Sequence, residues 1–278
     1  MGLEQNGGLA GALAEALPYV ARFAGKTVVV KIGGSTLGNR DTTLEDIITL
    51  QGLRINVVLV HGGGSVISQW LRRVGKEPKF VDGLRVTDAE TMEIVLMTLA
   101  GKVNKDLVSG LQALGGRAVG LCGLDGGLIL GKRKSEALGC VGEVTAVDLT
   151  PLRALADAGF IPVVAPIAVG DGCEALNLNA DTAAAEIAVA LRAEKLIFLT
   201  DVPGIKDSGG QLIPQMTAAQ VRELVQSGVI SGGMIPMAEA CLRALDGVSR
   251  THIIDGRVPH ALIRELFTDE GVGTMITR

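Results

Sequence analysis

Aromatic side chains are nearly missing from this chain: Phe, Tyr and Trp together make up 3% of its 278 residues, with a single Trp and a single Tyr. Any core must therefore be aliphatic, and a composition of 47% hydrophobic against 20% charged residues supplies enough material for a large one. A basic excess is missing too. The formal net charge of −4 argues against a nucleic-acid partner, because contacts to a phosphate backbone require a positive patch. Cysteine is sparse: Cys122, Cys140, Cys173 and Cys241 lie far apart and form no CxxC pair. That spacing does not suit a zinc site, and buried reduced thiols are the expectation. No positively charged segment precedes an apolar run at the N-terminus. The most apolar stretch, Phe160–Val169, is broken by Pro162 and Pro166 and is too short to span a bilayer. A cytoplasmic protein of one large domain or two lobes is expected.

What is present is an alternation of short apolar runs with longer amphipathic ones, the pattern of a mainly parallel sheet covered by helices. Strands are expected at Val28–Ile32, Ile55–Val60, Arg117–Leu121, Phe160–Ala165, Lys195–Thr200 and Thr251–Ile254. Helices are expected at Leu44–Gly52, Val66–Val74, Asp88–Leu114, Thr150–Ala158, Ala180–Arg192, Ala218–Gln226, Met234–Leu245 and Pro259–Phe267, with Asp88 and Thr217 as N-caps. Leu128–Lys132, Gly142–Val147 and Glu174–Asn179 read as short antiparallel strands. The turn-like Gly170-Asp171-Gly172 marks a lobe boundary, which divides the chain into 1–25, 26–172 and 173–278. Leu9–Phe23 is helical in pattern but precedes the first strand: it is either a frayed terminal helix or one that pairs with another subunit.

Two strands end in bare backbone. Val28–Ile32 runs into Gly33-Gly34-Ser35, and Ile55–Val60 into Gly62-Gly63-Gly64-Ser65. One such turn needs only positive φ. Two of them at strand ends, with Lys31 on the first strand, suggest backbone N–H groups offered to an anion, since that edge of an open α/β sheet is where ligands bind. No GxxxxGK[ST] occurs and neither cluster spells GxGxxG, so the P-loop is excluded and a dinucleotide site is weak. A lysine in an apolar strand must reach solvent or pair with an anion. Arg85, in Gly83-Leu84-Arg85-Val86-Thr87, is either a carboxylate clamp or a surface charge. Asn177-Leu178-Asn179-Ala180-Asp181 reads as a strand end opening a helix that Asp181 caps. Ser231-Gly232-Gly233-Met234 is a further glycine-rich loop at a helix start.

Taken in order, KIGGS (Lys31–Ser35), VHGGG (Val60–Gly64), VDGLRVTD (Val81–Asp88), NLNAD (Asn177–Asp181), TDVPGI (Thr200–Ile205) and SGGMIP (Ser231–Pro236) resemble the motifs of the acetylglutamate kinases of the amino-acid kinase family. VDGLRVTD is the most specific of them. The resemblance implies a three-layer αβα sandwich around a mainly parallel central sheet, in two lobes. It implies that residues 26–172 bind N-acetyl-L-glutamate, that residues 173–278 bind ATP, and that the γ-carboxylate is phosphorylated in an early step of arginine synthesis. Lys31 and the amides of Gly33, Gly34 and Gly63 would stabilise the transferring phosphoryl, and Asp181 would orient the lysine. Gly62, Gly63 and Gly64 would touch the acyl end of the substrate, Arg85 its α-carboxylate and Asn177 its amino-acid backbone. Thr200, Asp201, Gly204, Lys206, Gly232 and Gly233 would lie along ATP, with Mg2+ carried on the phosphates and few protein ligands for it.

The N-terminal stretch with Tyr19, and the C-terminal run containing His260, Glu265, Glu270, Gly271 and Gly273, resemble the arginine site of feedback-inhibited members of that family, which are hexamers built as trimers of dimers through an extra helix. One position departs from the pattern: where the family usually reads GGMxxK, this chain has Met237, which can neither carry charge nor donate a hydrogen bond. Two alternatives therefore stand beside the kinase reading. One is a kinase of a related acceptor such as an aminoadipate derivative, and the other is a non-catalytic arginine-sensing protein.

Overall fold

The β-branched run Thr-Val-Val-Val-Lys-Ile shows how the sheet is layered. In a strand, alternate side chains face opposite ways. Val28, Val30 and Ile32 enter one buried cluster while Val29 enters another, so this strand is covered on both faces. The computed structural model describes residues 3–33, 42–268 and 271–278. In chain order its strands are β1 (Thr27–Ile32), β2 (Asn56–His61), β3 (Phe80–Val81), β4 (Leu84–Arg85), β5 (Ala118–Cys122), β6 (Ile129–Arg133) and β7 (Gly142–Val147). They continue with β8 (Ile161–Ala165), β9 (Ile167–Val169), β10 (Ala175–Asn177), β11 (Lys195–Thr200), β12 (Gln215–Thr217), β13 (Thr251–Asp255) and β14 (Gly273–Thr277). The helices are α1 (Leu3–Phe23), α2 (Thr43–Gly52), α3 (Gly64–Arg73), α4 (Ala89–Leu96), α5 (Asn104–Ala113), α6 (Thr150–Asp157), α7 (Ala180–Leu191), α8 (Ala218–Gln226), α9 (Met234–Ala244) and α10 (Ala261–Phe267).

The main sheet runs β12-β14-β13-β11-β1-β2-β8-β5. Its neighbours are parallel except that β14 runs antiparallel to β13. Helices α2, α5 and α10 bury Ile47, Leu50, Leu107, Leu111, Leu262 and Leu266 against one face. Helices α7 and α9 bury an alanine-rich seam against the other. This is the three-layer arrangement that the resemblance implies, around the helix-covered parallel sheet expected from the alternation of runs. A second sheet, β10-β9-β6-β7, and the β3–β4 hairpin stand beside it. The main sheet is continuous across the boundary drawn at residue 172, since β1 pairs with both β2 and β11. Among the described residues no helix is long and apolar enough to cross a membrane.

Several expectations change in detail. Asp88–Leu114 is not one uniform helix: α4 and α5 are joined by a π turn, Met97–Val103. The apolar period carries no mark of this, because a single wide turn preserves an amphipathic stripe while rotating the residues beyond it. Helix α10 starts at Ala261 after a left-handed His260, not at Pro259. Strands β9, β12 and β14 and the β3–β4 hairpin add to the elements expected from the sequence. Most are two or three residues long, too short for alternation to register, and β14 has only two apolar residues, Met275 and Ile276, flanked by Gly273, Thr274 and Thr277. Thr217 does cap α8, through a capping box with Gln220, and Asp88 caps α4 by accepting from the Thr91 amide at 2.8 Å. The thiols are all free, but only Cys122 and Cys241 are buried; Cys140 is half-buried and Cys173 is exposed.

Candidate active site

The C-terminal ends of β1 and β2 are neighbours, with Ile32 opposite His61, so Gly33 and Gly62 leave the sheet side by side. Lys31 shares the parity of Val29 and therefore points to the α7 side of the sheet. There its Nζ meets Asp181 Oδ1 at 2.8 Å, with the two side chains 10% and 13% exposed. Asp181 is available for this because it is not the cap of α7. Asn179 is the cap, and its Oδ1 accepts from the amides of Asp181 at 2.8 Å and Thr182 at 3.0 Å. The expectation that Asp181 caps the helix is thus corrected. An N-cap residue has extended backbone and turns its side chain onto the helix amides, whereas a first-turn residue can project into a cleft.

Above this pair lies a cavity of about 230 Å3 lined by Lys31, Gly62, Gly63, Gly64, Arg85, Asn177 and Asp181. Space at Gly63 is tight: a Cβ there would stand 2.5 Å from Leu99 Cδ2, in the π turn, so a larger residue would force that side chain to move. Helix α3 opens at Gly64, so its first N–H groups have no partners within the helix. Gly33 does not line this cavity; its N–H donates to Leu199 O at 3.3 Å, continuing the ladder with β11. Gly34 lies outside the described residues.

Arg85 is buried, at 7% exposure. Its Nη2 donates to Gly64 O at 2.7 Å and Ser68 Oγ at 2.9 Å, and its guanidinium stacks on Phe80 at 4.8 Å. Nη1 is buried with no hydrogen-bond partner. The surface-charge alternative for Arg85 is excluded. A desolvated cation with an unused donor is set for an anion, and burial with the nearby Arg72 pushes its pKa down from the usual arginine value. Asn177 donates to Thr87 Oγ1 at 3.1 Å, and Thr87 in turn donates to Arg85 O at 2.8 Å.

A second opening, of about 430 Å3, lies beyond the end of β11 and is lined by Gly204, Ile205, Lys206, Ile230, Ser231 and Met234 among others. Thr200 and Asp201 stand at the exit of β11, where Thr200 Oγ1 donates to Asp201 Oδ1 at 3.3 Å. Gly232 and Gly233 form the turn that opens α9. Met237 does not line this opening; it is 8% exposed and packs into the cluster between α7 and α9. One turn further along α9, burial and the Asp181 carboxylate push the Cys241 thiol up to about 12.

A third cavity, of about 240 Å3, gathers Tyr19, Lys195, His252, Glu265, Gly271 and Gly273 between α1, α10 and the edge of the sheet. His252 Nδ1 lies 2.6 Å from Glu265 Oε1, while Glu265 Oε2 accepts from the Val272 amide at 3.0 Å. Burial pushes the Glu265 carboxyl up, but His252, the Val272 amide and Lys195 together hold it below its ordinary value. Burial lowers Lys195 to about 8 and lowers His252 as well. His260 is elsewhere: its Nδ1 lies 2.7 Å from Asp46 Oδ1, at the start of α10. The histidine of this cavity is His252, which the motifs in the sequence do not single out, and the same holds for Lys195. A signal for Lys195 does exist, because it heads an apolar strand just as Lys31 stands near the end of one. Glu270 lies outside the described residues.

Residues 26–255 match the model of the amino acid kinase family. The chain is 53% identical over 272 residues to the acetylglutamate kinase of Nostoc sp., covering 95% of this chain and 92% of that one. It is 49% identical over 288 residues to the acetylglutamate kinase of Heliobacterium modesticaldum, covering 97% and 98%. Among solved structures it is similar to the N-acetylglutamate synthase of Neisseria gonorrhoeae. With coenzyme A and N-acetyl-glutamate bound, that structure gives a TM-score of 0.86 at 29% identity over 97% of this chain and 63% of the synthase. With coenzyme A and L-arginine, the values are 0.83, 27%, 96% and 65%.

Proposed function

This chain belongs to the amino acid kinase family, and on that premise we propose that it transfers the γ-phosphoryl group of ATP to the γ-carboxylate of N-acetyl-L-glutamate, forming the acyl phosphate in the cytoplasmic synthesis of arginine. The observation that carries the reading is the buried Arg85 with its unused Nη1, set across one small cavity from the Lys31–Asp181 pair. A substrate with a carboxylate at each end fits such a site. One carboxylate takes the fork of Arg85, and the other lies at Lys31, where phosphoryl transfer develops charge. Asn177 and the edges of Gly62 and Gly64 hold the amide and acyl portions between them. Lys31 and the Gly63 amide then act on the equatorial oxygens of the moving phosphoryl. Gly33 contributes bare backbone, its N–H being held on Leu199. Asp181 fixes the Lys31 ammonium in place.

ATP is assigned to the opening at Gly204 and Lys206, with Thr200, Asp201 and the Gly232-Gly233 turn beside it. On this reading residues 26–172 and 173–278 are the two lobes, though Asn177 and Asp181 reach the acceptor from the second. Among the described residues lining the substrate cavity, Asp181 is the one carboxylate, and it is committed to Lys31. Mg2+ would therefore be liganded mainly by the nucleotide phosphates, whose charge it would offset. The direct test is trapping of the acyl phosphate as its hydroxamate, with ATP and N-acetyl-L-glutamate against N-acetyl-aminoadipate. Formation with the first acceptor and not the second supports the assignment; the reverse shows the related-acceptor kinase.

Arg85→Lys retains the charge and loses the fork. It is expected to raise the KM for N-acetyl-L-glutamate by about 10- to 100-fold with kcat changed far less, since the contact is made equally in ground and transition states. Steady-state kinetics check this, and an unchanged KM puts the clamp elsewhere.

The cavity at Tyr19, His252 and Glu265 supports feedback inhibition by arginine. Its guanidinium would pair with the Glu265 carboxylate, whose low pKa keeps it ionised. Helix α1 forms one wall, so the same helix that pairs subunits into a hexamer would sense the effector. Deleting residues 1–24 is expected to leave dimers that arginine no longer inhibits. Hexamers that persist and remain inhibited, by light scattering and assay, would remove this role from α1.

A further inference from the structure

We propose that His61, held by Asn104, is a positioning residue that aims the Gly63 amide. The inference deepens the acyl-phosphate reading and rests on it. His61 ends β2 with the parity of Val57 and Leu59, so its ring turns to the α5 face and is 1% exposed. Its Nδ1 lies 2.9 Å from Gly62 O. A carbonyl oxygen only accepts, so Nδ1 carries the proton and donates. Nε2 is then left with its lone pair, and Asn104 Nδ2 donates to it at 3.2 Å. The same Nδ2 donates to Val163 O at 2.8 Å, while Asn104 Oδ1 accepts from Lys105 Nζ at 2.8 Å. Burial, the dominant influence, opposed by the bond to Gly62 and joined by Lys105, brings His61 down to about 4. The ring therefore stays neutral at physiological pH, in one tautomer.

Peptide planarity carries this bond through to the cavity. Gly62 C=O and Gly63 N–H belong to one peptide, and none of the described peptides is cis, so the two dipoles point in opposite directions. A bond that fixes Gly62 O toward the buried imidazole therefore sends the Gly63 N–H away from it. Between two glycines this peptide has no Cβ to restrain it on either side, and without the imidazole its carbonyl loses the bond that fixes its direction. Space for the device is built into two other elements. Asn104 follows the π turn directly and is fully buried. Gly120 of β5 is bare where a Cβ would stand 1.7 Å from Asn104 Oδ1.

The test combines kinetics with the state of the ring. His61→Asn keeps an N–H near the place of Nδ1, whereas His61→Leu keeps none. His61→Leu is expected to lower kcat roughly 100-fold with both KM values within about threefold, the effect of losing one preorganised donor, and His61→Asn to stay within about fivefold of wild type. With 15N-labelled histidine, His61 is expected as the neutral Nδ1–H tautomer from about pH 5 to 8. An active wild type whose kcat survives His61→Leu, an asparagine variant that falls as far as the leucine one, or an Nε2–H tautomer overturns the proposal. If His61→Leu does not fold, Asn104→Ala replaces it. There, a lowered kcat with mixed tautomers supports the device, and an unchanged kcat and tautomer overturns it. A wild type that forms no acyl phosphate removes the parent reading and this inference together.

Discussion

Lys31→Ala is expected to lower kcat by about a thousandfold or more, because an ammonium on the transferring phosphoryl contributes at least as much as a single preorganised neutral donor, roughly 3–4 kcal/mol. The substitution also does something a surface lysine could not. It leaves the Asp181 carboxylate, 13% exposed, without its partner at 2.8 Å. Removing one member of a nearly buried pair costs about 3 kcal/mol of stability, reduced here by the solvent that still reaches the site. The melting temperature should therefore fall along with the rate. The double variant Lys31→Met with Asp181→Leu separates the two effects, since removing both charges spares the fold the unpaired one. Restored thermal stability with activity still absent is the expected outcome. If the double variant regains activity, the pair only holds β1 to α7 and the chemistry lies elsewhere.

Met237→Lys is expected to raise kcat, and to raise it more than it changes the KM for ATP. Met237 lies on the face of α9 that packs toward α7, one turn from the Cys241 thiol that feels Asp181. A lysine stem can follow the path of the methionine through that seam and carry its ammonium outward to the phosphates. Partial burial of the new charge is expected to cost about 1–3 kcal/mol of stability, in keeping with an ammonium that is only partly desolvated. The expected pattern is a faster and less stable enzyme, read by steady-state kinetics and thermal unfolding. An unchanged or lower kcat means that this chain has rebuilt its phosphate contacts with Lys31, Lys206 and the amides of Gly232 and Gly233. If the natural protein binds arginine and yet turns over no ATP, the sensing alternative stands.

Much of the arrangement was legible residue by residue. Lys195–Thr200 and Ala218–Gln226 have the limits read from the sequence, because a run of buried β-branched and aliphatic side chains, or a capping box, is a local signal. Lys31 and Arg85 were legible for the opposite reason: each is a charge where the surrounding pattern calls for apolar atoms. For Asp181 the sequence points to the right position and the wrong local role. Its neighbour Asn179 offers the same capping chemistry, and only the backbone angles at the start of α7 decide which of the two caps. His260 and His252 show the limit more sharply. Both lie near Glu265 along the chain, yet β13 carries His252 to within 2.6 Å of it, while the left-handed turn before α10 carries His260 to Asp46.

Alternation, glycine placement and isolated charge belong to short stretches of chain and depend only on strand and helix periods. For this protein they determined the layered sheet, the sheet edge where bare glycine backbone is exposed, and the two cations most in need of an anion. The tertiary structure decided everything that depends on elements distant in sequence meeting at a few ångströms. It brought Lys31 to Asp181 across α7 and buried Met237 in the α7–α9 seam. Through a π turn that leaves no trace in the apolar pattern, it also set Asn104 against His61 beneath the glycine loop. A contact of that kind rests on the direction of a side chain after a long detour of the chain, and no local period encodes it.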